Sequence, residues 1–251
     1  MKLSSEQATW FDNMRREWNE IIVPNASPLG RHVFDVGPNL SDAAVANARV
    51  YSSRLSALCD LPRNGVVAEL GTQAGWFAEH ILASRKPREL HLFDLEFDTL
   101  TAAKPSVSNH PTVTLHLGDS SQALAKLPND YFDWIYIDGD HSLAGVKRDA
   151  EVAAEKIKRN GILVFNDYTV WSVLECSDYG IVPVVNDLLA GPDWELVYIA
   201  LHPLMYCDVA IRRREVAPRI SRFLRWARMP CCSISGAILA LWSTVATMSG
   251  V

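Results

Sequence analysis

The sequence predicts an α/β protein, a three-layer α/β/α sandwich built on a seven-stranded, mostly parallel sheet. Short apolar runs of strand length alternate with stretches of helical periodicity along the middle of the chain. Strands that alternate with helices form parallel sheets, and the helices cover both faces. The last two apolar runs are joined by a link too short for a parallel crossover, so the last strand is expected to be antiparallel.

The predicted elements follow in order along the chain. Seven strands are expected at 66–70, 90–95, 113–117, 134–137, 162–165, 196–200 and 208–211. Four helices are expected between the first five strands, near 74–84, 99–104, 121–126 and 143–159. Two helices precede the sheet, at 4–20 and from Ser41 or Asp42 towards Cys59, and the Pro- and Gly-rich stretch 25–40 between them is predicted to be loop.

Composition and charge exclude some classes of protein. The net charge of −5 and the pI of about 5.8 argue against general nucleic-acid binding. The cysteines show neither a paired framework nor zinc-site spacing, which favours reduced thiols and a cytoplasmic location; they are Cys59, Cys176, Cys207, Cys231 and Cys232. Polar and acidic residues interrupt the N-terminus before any apolar run forms, so no signal peptide is predicted.

Three segments are predicted: an N-terminal helical cap over 1–62, an α/β domain over 63–215 and a basic, then apolar tail over 216–251. Residues 230–251 carry no charge, and seven arginines lie just upstream between 212 and 228. The tail has two interpretations. It contacts a membrane, held by the flanking arginines, or it forms an amphipathic helix that packs on the domain or a partner subunit, because six hydroxyl side chains make it a mediocre span.

The first predicted strand ends in a loop suited to ligand binding. Gly71 and Gly75 let the backbone turn tightly and approach a ligand without interference from a Cβ atom. The helix that follows offers free N–H groups at its start. The spacing is not G-x-G-x-x-G, which disfavours a dinucleotide-dependent dehydrogenase. The alternative is an ordinary glycine-rich turn between a strand and a helix.

Acidic residues stand at the carboxyl ends of the next strands, where ligands bind in such sheets. Asp94, followed by Leu95, is placed to accept hydrogen bonds from a ribose diol. Asp119 and Ser120 end the third strand, and their alternative role is to cap the following helix.

The fourth and fifth strand ends bring further polar groups to the same edge. Asp138, Asp140 and His141 follow the fourth strand, and Asn166 and Asp167 follow the fifth. Oxygen ligands of this kind suit a hard cation such as Mg²⁺.

Two segments resemble a known family. The sequence E-x-G-x-x-x-G, from Glu69 to Gly75, resembles the E/D-x-G-x-x-x-G motif of class I S-adenosylmethionine-dependent methyltransferases, which have a Rossmann-like fold. The run I-D-G-D-H at 137–141, followed by V-x-x-D at 146–149, resembles the cephalosporin hydroxamate, rhamnosyl and macrolide-sugar O-methyltransferases and, more distantly, catechol O-methyltransferase. The resemblance covers about 66–168.

The resemblance implies S-adenosylmethionine as the cofactor. Glu69 is expected to lie below the glycine loop and organise the methionine end, and Asp119 to accept from the adenine amino group. The full expected cofactor-binding set is Glu69, Gly71, Thr72, Gln73, Gly75, Trp76, Asp94, Leu95, Asp119, Ser120 and Asp138.

The resemblance also implies a metal and a base. Asp138, Asn166 and Asp167 are expected to bind Mg²⁺, with Asp138 and His141 as the catalytic residues and His141 as the general base. Asn166 departs from the sugar-modifying relatives, which carry an acid there, and the lost charge weakens metal binding. The alternative is that His141 orients Asp138 or Asp167. Asp149 is expected to face solvent or to pair with a basic neighbour on its helix.

The predicted function is methyl transfer to a hydroxyl of a small molecule, a sugar or a phenolic or polyol metabolite. Tyr168 and Trp171 are expected to border the acceptor pocket, and homo-oligomer formation is expected from the related sugar methyltransferases. The alternatives are a metal-independent enzyme that methylates nitrogen or carboxylate, and a non-catalytic cofactor-binding scaffold protein.

Overall fold

The computed structural model of the protein describes residues 3–22 and 34–214. The predicted tail over 216–251, with Cys231 and Cys232, lies outside these residues, as does the first part of the predicted loop at 25–40. Within the described ranges, no helix combines the length and the apolar content needed to cross a membrane.

The strands form one large sheet and one small hairpin. They are β1 Arg49–Tyr51, β2 Val66–Leu70, β3 Glu89–Asp94, β4 Val113–Leu117, β5 Phe132–Ile137, β6 Ile157–Phe165, β7 Trp171–Ser172, β8 Ser177–Asp178, β9 Trp194–Ala200 and β10 Asp208–Arg213. The eight-stranded sheet has the order β1-β9-β10-β6-β5-β2-β3-β4, and β7 pairs with β8. Strands β2 to β6 pair in parallel, whereas β10 is antiparallel to both of its neighbours. The predicted Rossmann-like α/β class and the antiparallel last strand are confirmed.

The helices of the described residues surround this sheet. They are α1 Ser5–Glu17, α2 Asp42–Val45, α3 Arg54–Leu58, α4 Trp76–Arg85, α5 Asp98–Ala103, α6 Pro105–Ser108, α7 Ser120–Ala125, α8 Leu143–Lys156 and α9 Ile181–Ala190. The first continues as a π-helical turn over Trp18–Ile22. It begins as predicted, because Ser4 and Gln7 form a reciprocal capping box in which each side chain accepts from the other's backbone N–H.

Two apolar clusters cover the two faces of the sheet and explain the three layers. Successive residues of β2 point to opposite faces, so Val66 and Ala68 belong to one cluster and Val67 to the other. The first cluster includes residues of α7, α8 and α9, and the second includes residues of α3, α4, α5 and α6. All of β2 is buried, as expected for a parallel strand with helices on both sides.

The segment predicted as one helix from Ser41 or Asp42 to Cys59 is instead α2, β1 and α3, and this prediction is wrong. Residues 49–51 pair in parallel with Tyr198–Ala200 of β9 and give the sheet its eighth strand. Ser53 then starts a new helix, because its side chain accepts from the backbone N–H of Ser56. Because the apolar residues recur at helical spacing, the sequence indicated neither the short strand β1 nor the second helix cap at Ser53.

Three other elements also differ from the prediction. Helix α9 was not predicted; its Pro183 lies in the first turn, where proline is tolerated. Helix α8 ends at Lys156, so β6 starts five residues before the predicted strand at 162. Helix α6 begins with Pro105 directly after α5 and was also missed.

Candidate active site

The loop after β2 is held tightly between the neighbouring strand ends. The Gly71 N–H donates to the carbonyl of Phe93 at 2.9 Å, and the Asp138 N–H donates to the carbonyl of Leu70 at 2.8 Å. Gly71 has a φ of +85°, and a Cβ atom there would overlap the carbonyl oxygen of Asp138. Only glycine therefore allows β2, β3 and β5 to end so close together.

The Asp94 carboxylate braces this loop. One of its oxygens accepts from the backbone N–H groups of Thr72 at 2.9 Å and Gln73 at 2.6 Å, and the other accepts from the Leu95 N–H at 2.7 Å. A carboxylate has about four acceptor positions. Asp94 thus fixes the loop and keeps acceptor capacity for a ligand hydroxyl.

Glu69 lies buried behind the same loop. Its side chain belongs to a residue only 1% exposed, and Oε2 has no hydrogen-bond partner among the described residues. Burial raises the pKa of Glu69 well above its usual value, and the charges of Asp138 and Asp94 raise it further. Its unpartnered oxygen lies beneath the glycine loop, where a bridging water can satisfy it.

Asp119, which follows β4, both caps a helix and lines a cavity. Asp119 caps α7, accepting from the Gln122 N–H at 2.8 Å and from the Ser121 hydroxyl at 2.7 Å. The Ser121 hydrogen bond, which favours the charged form, holds the pKa of Asp119 below its usual value. The alternative role of a cap is therefore confirmed, and the same residue also lines the cavity described below.

Asp149 does not face solvent, and that prediction is wrong. The residue is 3% exposed, and its carboxylate accepts from the Ser120 hydroxyl at 2.8 Å. Burial raises its pKa to about 6. The burial of Asp149 could have been predicted from the sequence, because Val146, Ala150 and Ala153 lie on the same face of α8 at helical spacing. These three residues are also buried.

A cavity of about 520 Å³ opens at the carboxyl ends of β2 to β5. It is lined by predicted residues from four strand ends, namely Gly71, Gln73, Asp94, Leu95, Asp119, Ser120, Asp138 and His141. Of the other predicted cofactor residues, Glu69 and Thr72 are buried and do not line it. Gly75 starts α4 with a φ of +75°, and the Trp76 ring after it is exposed, with the Lys104 ammonium 3.7 Å from its centre. The predicted strand-end residues therefore mostly share one cavity.

His141 lies at the β5 end of this cavity. Its ring stacks on Tyr179, with centroids 4.5 Å apart and planes at 8°. Its Nε2 is 3.4 Å from Asp138 Oδ1 and has no hydrogen-bond partner within the described part of the chain. Burial opposes the charged form, but Asp138, Asp167 and Glu175 outweigh it and raise the pKa of His141. The stacked ring is thus oriented with its buried Nε2 towards Asp138.

The structure brings Asp138, Asn166 and Asp167 together, as predicted, but does not arrange them around a metal. The Asn166 amide nitrogen donates to Asp138 Oδ1. Its oxygen accepts from the Arg54 guanidinium at 2.5 Å and from the Tyr136 hydroxyl at 3.2 Å. In residues 3–22 and 34–214, no group of three or more His, Cys, Asp or Glu side chains is placed to hold a metal ion. The residues present therefore do not fit the predicted Mg²⁺.

Two charged residues of this cluster, Arg54 and Asp208, were not predicted from the sequence. Arg54 Nη2 lies 3.0 Å from Asp208 Oδ1, and the Tyr136 hydroxyl donates to Asp208 Oδ2 at 2.9 Å. Burial raises the pKa of Asp208 to about 7, although Arg54 and Tyr136 act in the opposite direction. Asp208 is a single carboxylate at the start of a strand, and no motif marks it as a site residue. Arg54 belongs to the segment that was wrongly predicted as one helix.

Aromatic residues connect the N-terminal helix to the hairpin after β6. Trp18, at the end of α1, packs edge-on against Trp171 with centroids 5.9 Å apart, and Phe34 lies 5.7 Å from the same Trp171 ring. Trp10 is exposed and packs on Phe11 within α1. Trp18 thus lies beside Trp171, which was expected to border the acceptor pocket.

A comparison with protein families gives a match to the same region. A family model described as a methyltransferase domain matches residues 68–168, from β2 to just beyond β6. The match covers 101 of the 251 residues, and over this span the chain is similar to methyltransferase domains. No curated protein matches the chain.

Solved structures are similar to this chain in fold, at low sequence identity. A putative rRNA methylase from Clostridium thermocellum has 14% identity and a TM-score of 0.50, over 64% of this chain and 98% of that one. A spermidine synthase in complex with the transition-state analogue AdoDATO has 12% identity and a TM-score of 0.50, over 66% of this chain and 60% of that one. The pyocyanin biosynthetic protein PhzM has 20% identity and a TM-score of 0.45, over 61% of this chain and 51% of that one. The chain thus spans little more than half the length of two of these proteins.

The glycine loop after β2 yields a stability prediction. Gly71→Ala combines a positive φ with overlap on the Asp138 carbonyl, whereas Gly118→Ala has a φ of +114° and open space. We expect Gly118→Ala to lower the free energy of unfolding by roughly 1–3 kcal/mol, the cost of backbone strain, and Gly71→Ala to lower it by clearly more. Urea denaturation of the ligand-free proteins measures both. Equal losses would show that contact with β5 does not restrict Gly71.

The buried Asp149 predicts a pH-dependent stability. Its pKa is about 6 in the folded protein against 3.8 for an exposed carboxyl, so the folded state keeps a proton that the unfolded state has released between these values. The free energy of unfolding should therefore fall as the pH rises from about 4 to about 6. We expect Asp149→Asn to stabilise the ligand-free protein by roughly 1–3 kcal/mol at pH 8 and not at pH 4.

Thermal or urea unfolding across this pH range tests the Asp149 prediction. The matched control is Glu151→Gln on the exposed side of α8, which should change stability by less than about 0.5 kcal/mol at either pH. A gain from Asp149→Asn that is the same at both pH values would contradict the prediction.

Proposed function

We propose that the protein transfers a methyl group from S-adenosylmethionine to a hydroxyl oxygen of a small molecule, either a sugar or a phenolic or polyol metabolite. The observation that carries the proposal is the position of His141. An imidazole oriented by Tyr179 and Asp138 lines the same cavity as the glycine loop and the strand-end acids. A base beside a methyl-donor site suits an acceptor that must lose a proton.

The described residues fit the cofactor. Gly71 lines the cavity with backbone alone and lets the loop pack against β5, and Glu69 offers an unpartnered buried oxygen behind the loop. Asp94 keeps acceptor capacity for the ribose hydroxyls, and Asp119 and Ser120 line the cavity where the adenine end is expected. When bound, S-adenosylmethionine supplies a methyl group activated by its sulfonium.

The proposed chemistry assigns the proton to His141. An alcohol or phenol has a pKa above neutrality, so it is a weak nucleophile until a base takes its proton. The His141 imidazole accepts that proton, and the Asp138 carboxylate, 3.4 Å from Nε2, stabilises the resulting imidazolium. The domain otherwise contributes by orienting acceptor and donor in line. Metal assistance is not part of the proposal, because the Arg54 guanidinium occupies the oxygen of Asn166.

A second candidate acceptor is an amine. The charges of Asp138, Asp167 and Glu175 act together on His141, and an excess of carboxylates attracts a protonated amine and repels a carboxylate acceptor. An amine loses its proton more readily than an alcohol and depends less on a base. The effect of removing His141 therefore separates the two acceptor classes.

Calorimetry with S-adenosylmethionine tests the first half of the proposal. Binding by the folded full-length protein is expected, and folded protein that binds none would contradict it. A panel of small hydroxyl and amine acceptors, assayed with isotopically labelled S-adenosylmethionine and mass spectrometry, then tests the transfer. Binding without transfer to any acceptor would favour the scaffold alternative.

Replacement of His141 tests its role as the base. We expect His141→Ala to lower kcat roughly 10²- to 10⁴-fold on a hydroxyl acceptor, the usual contribution of a general base, with the Kd for S-adenosylmethionine changed little. The control is His110→Ala, since His110 lies before β4 at the opposite edge of the sheet, bonded to Thr112. Unchanged kcat in His141→Ala would exclude the base and favour an amine acceptor.

A further inference from the structure

The side chain of Arg54 meets three oxygen atoms through a single nitrogen. Nη2 lies 2.5 Å from Asn166 Oδ1, 3.0 Å from Asp208 Oδ1 and 3.4 Å from Asp167 Oδ1. These oxygens come from the end of β6 and the start of β10, whereas Arg54 begins α3. Oxygens that converge on one point from separate elements form the kind of arrangement that holds a cation.

The cluster needs a cation because its acids are withdrawn from water. The side chains of Asp138, Asp167 and Asp208 are only 24%, 16% and 3% exposed. Uncompensated buried carboxylates cost several kcal/mol each. Arg54 is 31% exposed and permanently charged, and the interactions of Tyr136 and Asp208 with it outweigh burial and raise its pKa.

The contacts of Asn166 show how this cation is connected to the active site. The Asn166 amide accepts from Arg54 through its oxygen and donates to Asp138 through its nitrogen. Asp138 in turn lies beside His141. A neutral amide can relay in this way because it has both a donor and an acceptor. An ionised acid at this position could only accept, so it could not donate to Asp138.

We infer that Arg54 is the resident cation of this site and takes the place that a divalent metal would occupy between Asn166, Asp167 and Asp208. Arg54 is a positioning residue: through Asn166 it fixes the carboxylate of Asp138, and it compensates the charge of Asp167 and Asp208. The guanidinium already lies where a metal would bind, so the intact protein has no affinity for Mg²⁺ at this point. The inference concerns the cation and does not depend on which acceptor is methylated.

Removing the guanidinium should turn the cluster into a metal site. Arg54→Met keeps the length of the stem and leaves the oxygens of Asn166, Asp167 and Asp208 without a cation. We expect this variant to bind Mn²⁺ roughly tenfold or more tightly than the natural protein, as measured by electron paramagnetic resonance of free Mn²⁺. Mg²⁺ should raise its Tm but not the Tm of the natural protein. Arg49→Met, on the exposed strand β1 of the same segment, is the matched control and should behave like the natural protein.

The outcomes decide the inference. Stoichiometric Mn²⁺ binding by the natural protein that is lost in Asp167→Asn would overturn it, and so would an Arg54→Met protein that binds no Mn²⁺ and has an unchanged Tm. If Arg54→Met folds only when Mg²⁺ is present, that requirement supports it. If Arg54→Met folds in neither condition, Arg54→Lys is tested instead, because lysine keeps the charge. A folded lysine variant that binds no metal supports the inference. A lysine variant that binds Mn²⁺ contradicts it. Because the readouts are metal binding and stability, they stay informative even if no hydroxyl acceptor is found.

Discussion

The site depends on the close approach of the carboxyl ends of β2 and β5. The Asp138 N–H donates to Leu70 and the Gly71 backbone packs on the Asp138 carbonyl, so the loop that faces the cofactor and the strand that carries Asp138 form one unit. Asp94 extends this unit to β3 by accepting from the N–H groups of the loop. The position of each acid is therefore set by backbone hydrogen bonds, which are the least flexible contacts available.

The parts of the site that were predictable from the sequence are those fixed by the sheet. Parallel strands place their carboxyl ends on one edge, so Gly71, Asp94, Asp119, Asp138 and His141 could be assigned to a common cavity from their order alone. The same logic predicted the antiparallel last strand, because a short link permits no other connection. Such predictions need only the strand pattern, and they do not depend on how side chains pack.

The parts that were not predictable depend on contacts between distant segments. Arg54 reaches Asn166 across 112 residues of sequence, and no local pattern announces such a pair. Residues 49–51 form a strand only because the edge of β9 is available to them. Asp149 was misjudged because a charged residue was given an exposed position, although its helix face is otherwise apolar. In each case tertiary packing outweighed the usual preference of the residue.

A guanidinium and a divalent metal have different consequences for catalysis. A metal with open positions binds the acceptor oxygen and lowers its pKa directly. Arg54 stays charged at any physiological pH, and the nitrogen that faces the cluster is already shared among three protein oxygens. Under the proposed function, His141 removes the acceptor proton, and Asp138 and Asp167 favour its charged form. Asparagine at position 166 fits this arrangement better than an acid, because it connects Arg54 to Asp138 without adding a further buried charge.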